Sequence, residues 1–152
     1  MVTLKQDSIA VTLSLLIIIV LSGLAFSFPI EKILSHGGYP WIREYPWYLY
    51  WRVALVNLVL WLVSLILLSL DISLGKYLTL LTAIAFVVFH YGTLIASNIR
   101  GYSIKVMPLI YTVRLNKYQY ETSYLDLGQV IILATIANVI DWKKLIKKKS
   151  VR

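Results

Sequence analysis

The chain has 152 residues, of which 59% are hydrophobic and 14% charged, and its mean hydropathy is +0.76. Soluble domains are about 45–50% apolar and about 25% charged, so this composition is typical of an integral membrane protein with one domain. The chain contains no cysteine, which excludes disulfides, thiolate metal sites and cysteine nucleophiles. The net charge of +8 does not predict nucleic-acid binding, because six of the fifteen basic residues lie in the tail, 143–152.

The first apolar segment, 9–28, is long enough for a transmembrane helix, which needs about 20 residues. A cleaved signal peptide is the alternative. Its apolar core is usually about 7–15 residues long and precedes an A-x-A-like site, which does not follow here. Pro29 ends the predicted helix because proline has no N–H to donate. Gly and Pro interrupt the next segment, 29–52, and its many Trp and Tyr residues predict an outer aromatic loop at the lipid headgroups.

Two further apolar segments, 53–70 and 77–97, predict the second and third transmembrane helices. The short connection DISLGK makes them antiparallel neighbours. In segment 108–126, large or β-branched side chains alternate with polar ones on both sides of Asn116-Lys117, as in Tyr111-Thr112-Val113-Arg114. This alternation predicts a β-hairpin. Because open sheet edges are not stable in lipid, this hairpin must lie outside the hydrocarbon or be buried against protein. Segment 127–142 predicts the fourth span.

The predicted fold is therefore an all-α integral membrane protein with four transmembrane helices and a small extracytoplasmic β-hairpin between helices 3 and 4. Basic residues are enriched on cytoplasmic flanks, so the basic tail places both termini in the cytoplasm and the protein in the plasma membrane as a multi-pass protein. The aromatic loop and the hairpin then lie together on the outer face. Anionic lipid headgroups are the predicted partners of Lys143, Lys144, Lys147, Lys148 and Lys149. Plentiful Ile, Leu, Tyr and Lys without Cys also suggest a thermophile.

Polar side chains within the spans predict which helix faces contact protein, because unpaired polar groups cost free energy in lipid. In the third span they gather on one face, since positions 3, 4, 7 and 8 apart share a side of a helix. The predicted contact residues are Asn57, Thr82, His90, Thr93 and Asn138. Gly23 and Ser27 form a small-xxx-small pair that predicts close helix approach in the first span.

His90 is the ionisable side chain in the middle of the third span, and several interpretations remain open. The structural interpretation is a hydrogen bond to Asn57, Asn138 or a tyrosine. The functional interpretations are a donor to a quinone carbonyl, a member of a proton relay, or an axial ligand of haem b. A bis-histidine haem site would need His36 or a second chain, because the sequence has two histidines.

No catalytic constellation, metal-ligand pattern or phosphate-binding loop is recognisable in the sequence, so no metal site or cofactor is predicted. The leading hypothesis is a non-catalytic accessory or anchor subunit of a multi-subunit membrane complex, most plausibly respiratory or otherwise energy-converting and linked to electron transport. Its expected partners are other integral-membrane subunits and an extracytoplasmic domain, and not nucleic acid. One alternative is a small quinone- or haem-handling protein that uses His90. Another is a small transporter or channel lined by Asn57, His90 and Asn138.

Overall fold

A computed structural model of the chain describes residues 2–28, 45, 47–98, 102–115 and 120–139. Four helices and three strands lie in these ranges, in the order α1, α2, α3, β1, β2, β3, α4. Their bounds are α1 Val2–Ser27, α2 Trp47–Ser69, α3 Ser73–Asn98, β1 Tyr102–Met107, β2 Ile110–Leu115, β3 Tyr120–Leu125 and α4 Leu127–Val139.

Within the described part of the chain, three helices are long and apolar enough to cross a membrane, namely α1, α2 and α3. Their length follows from long runs of Leu, Ile, Val and Ala that no glycine pair or proline interrupts. The protein is therefore a membrane protein by length and composition. All three helices begin before the predicted apolar segments, because hydropathy marks the apolar part of a helix and not its first turns.

The helices α2 and α3 form a tight antiparallel hairpin, as the short DISLGK connection predicted. Asp71 has a left-handed backbone with φ of 54°. Beside it, Ile72 N–H donates to Leu67 O (3.2 Å) and Asp71 N–H to Leu68 O (3.1 Å), the two bonds of a Schellman motif. Gly75 then lets α3 pass close to α2, because a Cβ on it would stand 2.5 Å from the Leu67 carbonyl carbon.

The remaining helices pack on this hairpin: α1 contacts both α2 and α3, and α4 contacts α3. The buried apolar cluster contains Ala54, Trp61, Ala83, Phe86 and Ile131. Hydrogen bonds join the helices around it. Trp61 Nε1 donates to Thr135 Oγ1 (2.9 Å), Thr79 Oγ1 to Ser64 Oγ (2.8 Å), and Asn57 Nδ2 to Ser22 Oγ (2.9 Å). Pairing these donors lowers the cost of burying them in an apolar bundle, although the buried Oδ1 of Asn57 has no hydrogen-bond partner among the described residues.

The predicted hairpin is part of a three-stranded antiparallel sheet in the order β1-β2-β3. The predicted pairing of its second and third strands is confirmed, but Leu115 lies opposite Tyr120, so four residues, 116–119, connect them and not the predicted two-residue turn at 116–117. The first strand was missed, although Tyr102, Ile104 and Val106 alternate with polar residues, because Pro108 suggested the start of the hairpin. Pro108 instead lies in the two-residue turn between β1 and β2.

This turn holds a strained residue. Leu109 has a φ of 63°, in the left-handed region that costs an L side chain about 1–2 kcal/mol. Met107 and Ile110 face each other directly before and after it, so Pro108 and Leu109 are the two central positions. The backbone groups of Leu109 are both used in contacts with the start of α4, which hold the turn in this conformation.

The fourth predicted span corresponds to α4, whose described part has 13 residues. At 1.5 Å per residue it is about 20 Å long, shorter than the hydrocarbon core of about 30 Å. The last residues of the predicted span, 140–142, lie outside the described residues, as does the basic tail, 143–152. Most of the predicted outer aromatic loop also lies outside them, since only Tyr45 and residues 47–52 are described.

The predicted small-residue pair of α1 is not a contact face within the described part of the chain. Gly23 and Ser27 are exposed, and a Cβ added to Gly23 would meet no atom within 4 Å. The buried residues of α1 are Ala10, Ser14 and Ala25, which lie on a different side of the helix. A small-xxx-small pair permits close approach but does not require it, and here the partner helices pack where Ala and Ser offer the same small volume.

Candidate functional site

Asp126 lies at the junction of β3 and α4, and its side chain is fully buried at 0% exposure. It is the N-cap of α4, because its Oδ1 accepts the Gln129 N–H at 3.2 Å and its backbone carbonyl accepts the Val130 N–H at 3.1 Å. Its Oδ2 accepts the hydroxyl of Tyr91 (2.8 Å) and the Gln129 Nε2 (2.9 Å). One carboxylate therefore receives hydrogen bonds from two helices. We call His90, Tyr91, Asp126 and Gln129 the Asp126 cluster.

Gln129 joins the β1–β2 turn to the start of α4. Its Nε2 donates to Met107 O as well as to Asp126, and its Oε1 accepts the Leu109 N–H, each at 2.9 Å. The Asp126 N–H in turn donates to Leu109 O at 2.9 Å. This differs from an ordinary capping box, in which the third residue bonds back to the N-cap N–H. Three hydrogen bonds thereby fix the β1–β2 turn of the sheet to the start of α4.

His90 lies on α3 beside the same carboxylate, with its Nε2 3.3 Å from Asp126 Oδ1. The two atoms are within ion-pair distance but poorly aligned, so Nε2 is a buried nitrogen without a hydrogen bond to any described residue. Aromatic rings surround the imidazole. Phe86 stacks on it at 5.4 Å between centroids, while Tyr91 and Tyr111 meet it at steep angles at 5.4 and 6.1 Å.

The electrostatics of the site favour an ionised Asp126. Burial by itself raises the pKa of this carboxyl, but the hydrogen bonds from Tyr91 and Gln129 and the neighbouring His90 outweigh it and hold the pKa below its ordinary value. Burial, together with Tyr124 and Asp126, raises the pKa of the Tyr111 phenol. The site thus pairs a fixed anion with a phenol that stays protonated at neutral pH.

Close packing of α4 against α3 depends on Gly128. A Cβ at this position would lie 3.0 Å from His90 Cδ2, 3.1 Å from Asp126 Oδ1 and 3.2 Å from Tyr91 Cε2. Those distances are shorter than ordinary contacts between heavy atoms, so any larger residue would push the first turn of α4 away from the imidazole.

A cavity of about 300 Å³ lies next to the cluster, between the sheet and the adjoining ends of α2 and α3. Five aromatic, three aliphatic and two hydroxyl-bearing side chains line it: Trp47, Trp51, Tyr102, Tyr111, Tyr124, Leu94, Ile104, Val113, Thr93 and Ser97. We call it the sheet cavity. Tyr111 belongs to both places, because its ring lines the cavity and also meets His90.

The structure places the predicted contact residues in separate surroundings. Asn57 is buried between α2 and α1, where it donates to Ser22 Oγ and to Val53 O. Thr82 and Thr93 are buried, and each hydroxyl donates to a carbonyl of its own helix. Asn138 is exposed and donates to Ala134 O. No hydrogen bond or ring contact joins Asn57, His90 and Asn138 to one another in the described part of the chain.

The central residue of the site, Asp126, was missed in the sequence, where it was assigned to the end of the hairpin. A signal was present. Asp126 is followed three residues later by Gln129 and then by an apolar run, which is the pattern of a capping box at a helix start. The partnership with His90 and Tyr91 had no such signal, since 35 residues separate Tyr91 from Asp126.

His90 is the described residue that was predicted as a cofactor ligand. Its Nε2, a nitrogen that could bind a haem iron, faces the Asp126 carboxylate, and the predicted second ligand, His36, lies outside the described residues. Among the described residues, no group of three His, Asp or Glu side chains is arranged to hold a metal ion. The predicted lipid-contacting lysines of the tail also lie outside them.

The site thus combines a buried carboxylate, an imidazole, two phenols and an aromatic cavity at the sheet end of a helical membrane protein. These features describe an environment and not a known reaction. Comparison of the chain with models of protein families, with curated proteins and with solved structures finds no match.

Proposed function

We propose that the chain is a non-catalytic, membrane-embedded accessory subunit whose sheet receives an extended segment of an extracytoplasmic partner protein along the edge of β3. The single observation that carries this function is the lack of a neighbouring strand along the outer edge of β3 among the described residues. Among the described residues, β3 pairs with β2 on one side and has no strand on the other. An unpaired edge presents a row of N–H and C=O groups to another chain, which is the basis of recognition by strand addition.

The two edges of the sheet differ in their protection. The β1 edge carries Lys105 and packs against α3, and Pro108 follows it directly. The six residues of β3, YETSYL, carry one charged residue, Glu121, and contain neither Lys nor Pro. Lysine and proline are the residues that proteins use most often to block an edge strand. Tyr120 and Leu125 are also exposed, at 68% and 56%, and large apolar groups on an edge favour contact with protein.

Rigid attachment makes the sheet suitable as a docking element. The contacts of Gln129 and Asp126 with the β1–β2 turn hold the sheet on the bundle, and β1 packs along α3. A preorganised edge loses little conformational entropy when a partner strand adds to it.

The membrane arrangement that goes with this function has four spans, with α4 as the fourth, and both termini in the cytoplasm of the plasma membrane. Because the chain has no cysteine, single-cysteine variants report their own position without background. A thiol reagent that cannot cross membranes should label Ser123→Cys in intact cells and should label Ser69→Cys after the cells are opened. The reverse pattern would show the opposite orientation.

Photo-crosslinking in native membranes tests the docking edge. A photoreactive residue is introduced at Glu121 on β3 and, as the matched control, at Ser103 on the β1 edge; both positions are exposed. We expect Glu121 to yield a crosslink to one extracytoplasmic polypeptide that also co-purifies with the chain. We expect Ser103 to yield none. Ser123→Lys, which puts an edge-blocking lysine on β3, should abolish both the crosslink and the co-purification, whereas Ser103→Lys should leave them intact.

Three outcomes contradict the proposed function. A crosslink from Glu121 to residues 29–44 of the same chain means that the protein covers its own edge. A crosslink to a second copy means that the edge serves self-association. A stable lone monomer that loses nothing on Ser123→Lys means that no partner strand is bound.

We propose further that the assembly is a respiratory or other energy-converting complex, an expectation that rests on the sequence alone. Mass spectrometry of the co-purifying subunits tests it directly. A transporter or channel function has less support, because Asn57, His90 and Asn138 have separate neighbours.

A further inference from the structure

The sheet cavity has the size and composition of a small-molecule site. Its volume of about 300 Å³ lies at the lower end of the range for ligand pockets, about 300–1,000 Å³. Its walls come from α2, α3 and all three strands, so it exists only where the sheet docks on the helices. Ligand pockets are typically lined by apolar and aromatic side chains with a few polar groups, and this lining matches that description.

The lining residues limit the chemistry of the occupant. None of the ten side chains that line the cavity is charged. Among the described lining residues, a phosphate or carboxylate would find no cationic partner and a cation no carboxylate. This described lining favours a neutral occupant. Five aromatic side chains favour a flat ring, because rings pack in stacked or edge-to-face arrangements with one another.

Hydrogen-bond donors are available for acceptor oxygens on such a ring. The phenol hydroxyls of Tyr102, Tyr111 and Tyr124 make no hydrogen bond to another described residue. By contrast, Thr93 and Ser97 already donate to carbonyls of α3 at 2.8 Å each. Among the lining residues, these three tyrosines have hydroxyls that can donate to a ligand carbonyl. The Tyr111 ring also contacts His90 and stacks on Tyr124 at 5.5 Å between centroids.

The position of the sheet cavity allows its ligand to carry an apolar tail. The cavity borders Leu94 and Thr93 in the last turns of α3, a helix apolar enough to cross a membrane. A ring held between sheet and helix can therefore leave its tail in the hydrocarbon along α3. We infer that the sheet cavity binds the headgroup of a neutral quinone-type lipid, a flat ring with carbonyl oxygens on an apolar tail.

Photo-labelling of the full chain in lipid nanodiscs tests this site. The probe is a benzoquinone that carries an azide on the ring and a ten-carbon tail, and labelled residues are mapped by mass spectrometry. We expect saturable labels within 47–51, 93–97 and 102–113. Excess benzoquinone with the same tail and no azide should remove them, whereas excess phosphatidylglycerol should not.

Filling the cavity provides the matched comparison. Val113→Phe and Ile104→Phe enlarge side chains that line the sheet cavity. Ile84→Phe makes a comparable change in a separate apolar groove of about 210 Å³ between α3 and α4. We expect half-saturation of labelling to rise about tenfold in each cavity variant and to stay unchanged in Ile84→Phe. If a cavity-filling variant fails to fold, the labelled positions in the wild-type chain and their displacement by the azide-free competitor still test whether the probe binds in the sheet cavity.

Other labelling patterns overturn the inference. Labels spread over lipid-facing residues such as Ile19 and Ile66, without displacement by the competitor, show that the probe merely partitions into lipid. Displacement by phosphatidylglycerol shows that the cavity holds an ordinary lipid headgroup. Equal labelling of Val113→Phe and wild type places the probe elsewhere. The quinone labelling does not require a partner strand on β3. Ser123→Lys can therefore abolish partner docking while labelling of the sheet cavity persists, so the two proposals can fail separately.

Discussion

Replacing Asp126 tests whether the Asp126 cluster holds the sheet on the bundle. Asp126→Ala removes the cap of α4, which costs about 1 kcal/mol. It also leaves the hydroxyl of Tyr91 and the Nε2 of Gln129 without this acceptor, at about 1 kcal/mol each for partly buried donors. The sum predicts a loss of about 3 kcal/mol in the free energy of unfolding. Asp126→Asn keeps one oxygen for the cap, so we expect a loss of about 1–2 kcal/mol.

Reversible unfolding in mixed detergent micelles, followed by tryptophan fluorescence as the fraction of denaturing detergent rises, measures these changes. Asp71→Asn is the matched control, because Asp71 is exposed in the turn after α2 and asparagine tolerates its positive φ. We expect the control to change stability by less than about 0.5 kcal/mol. If Asp126→Asn and Asp71→Asn prove indistinguishable, the cluster does not hold the fold and the reasoning is refuted.

The same carboxyl predicts that the free energy of unfolding decreases at acidic pH. The pKa of Asp126 is held below its ordinary value of 3.8 in the folded state, so the unfolded state binds the proton more readily. The stabilisation is therefore fully present above the ordinary pKa and is lost as pH falls through the lower, folded pKa. Asp126→Asn should remove this part of the pH dependence and leave the profile near neutral pH parallel to that of the wild type. If Asp126→Asn loses stability at acidic pH as the wild type does, other carboxyls cause that loss.

Three further predictions concern the packing that supports the site. Gly75→Ala should destabilise the protein by about 3 kcal/mol in the same unfolding assay, because its Cβ would stand 2.5 Å from the Leu67 backbone; a loss below about 1 kcal/mol would contradict this close approach. Trp61→Phe and Thr135→Val should show a coupling of about 0.6 kcal/mol, and no more than about 1.7, in a double-mutant cycle, and strict additivity would mean that their 2.9 Å hydrogen bond contributes nothing. Leu109→Asn should raise stability by about 0.5–1 kcal/mol, since asparagine adopts the φ of 63° more readily, and a lower stability would show that the apolar side chain matters more than the backbone strain.

Local signals in the sequence were sufficient for much of the architecture. Long apolar runs predicted α1, α2 and α3, and the short DISLGK connection predicted the antiparallel pairing of α2 with α3. Alternation on both sides of residues 116–117 predicted the pairing of β2 with β3. These features depend on residues close together in the chain, and short-range periodicity carries that information.

Other features had ambiguous local signals. Pro108 was read as a boundary and concealed β1, although proline is also common within tight turns. Gly23 and Ser27 marked a possible contact face of α1, but small residues on several sides of that helix allow close approach equally well. The choice among such faces depends on where α2 and α3 pack, which the sequence of α1 alone does not contain.

The sequence by itself determined that this is a hydrophobic, basic membrane protein with long helices and a segment that pairs as β-strands. It also placed a histidine, which needs a polar neighbour, within the third span. Only the tertiary structure decided that the Asp126 carboxylate is the charged group beside His90. The docking of the sheet brings Asp126 to α3 across 35 residues of sequence and forms a half-open aromatic cavity beside Tyr111. Such long-range choices follow from which faces bury the most surface and satisfy the most polar groups together, and no periodicity along the chain records that outcome.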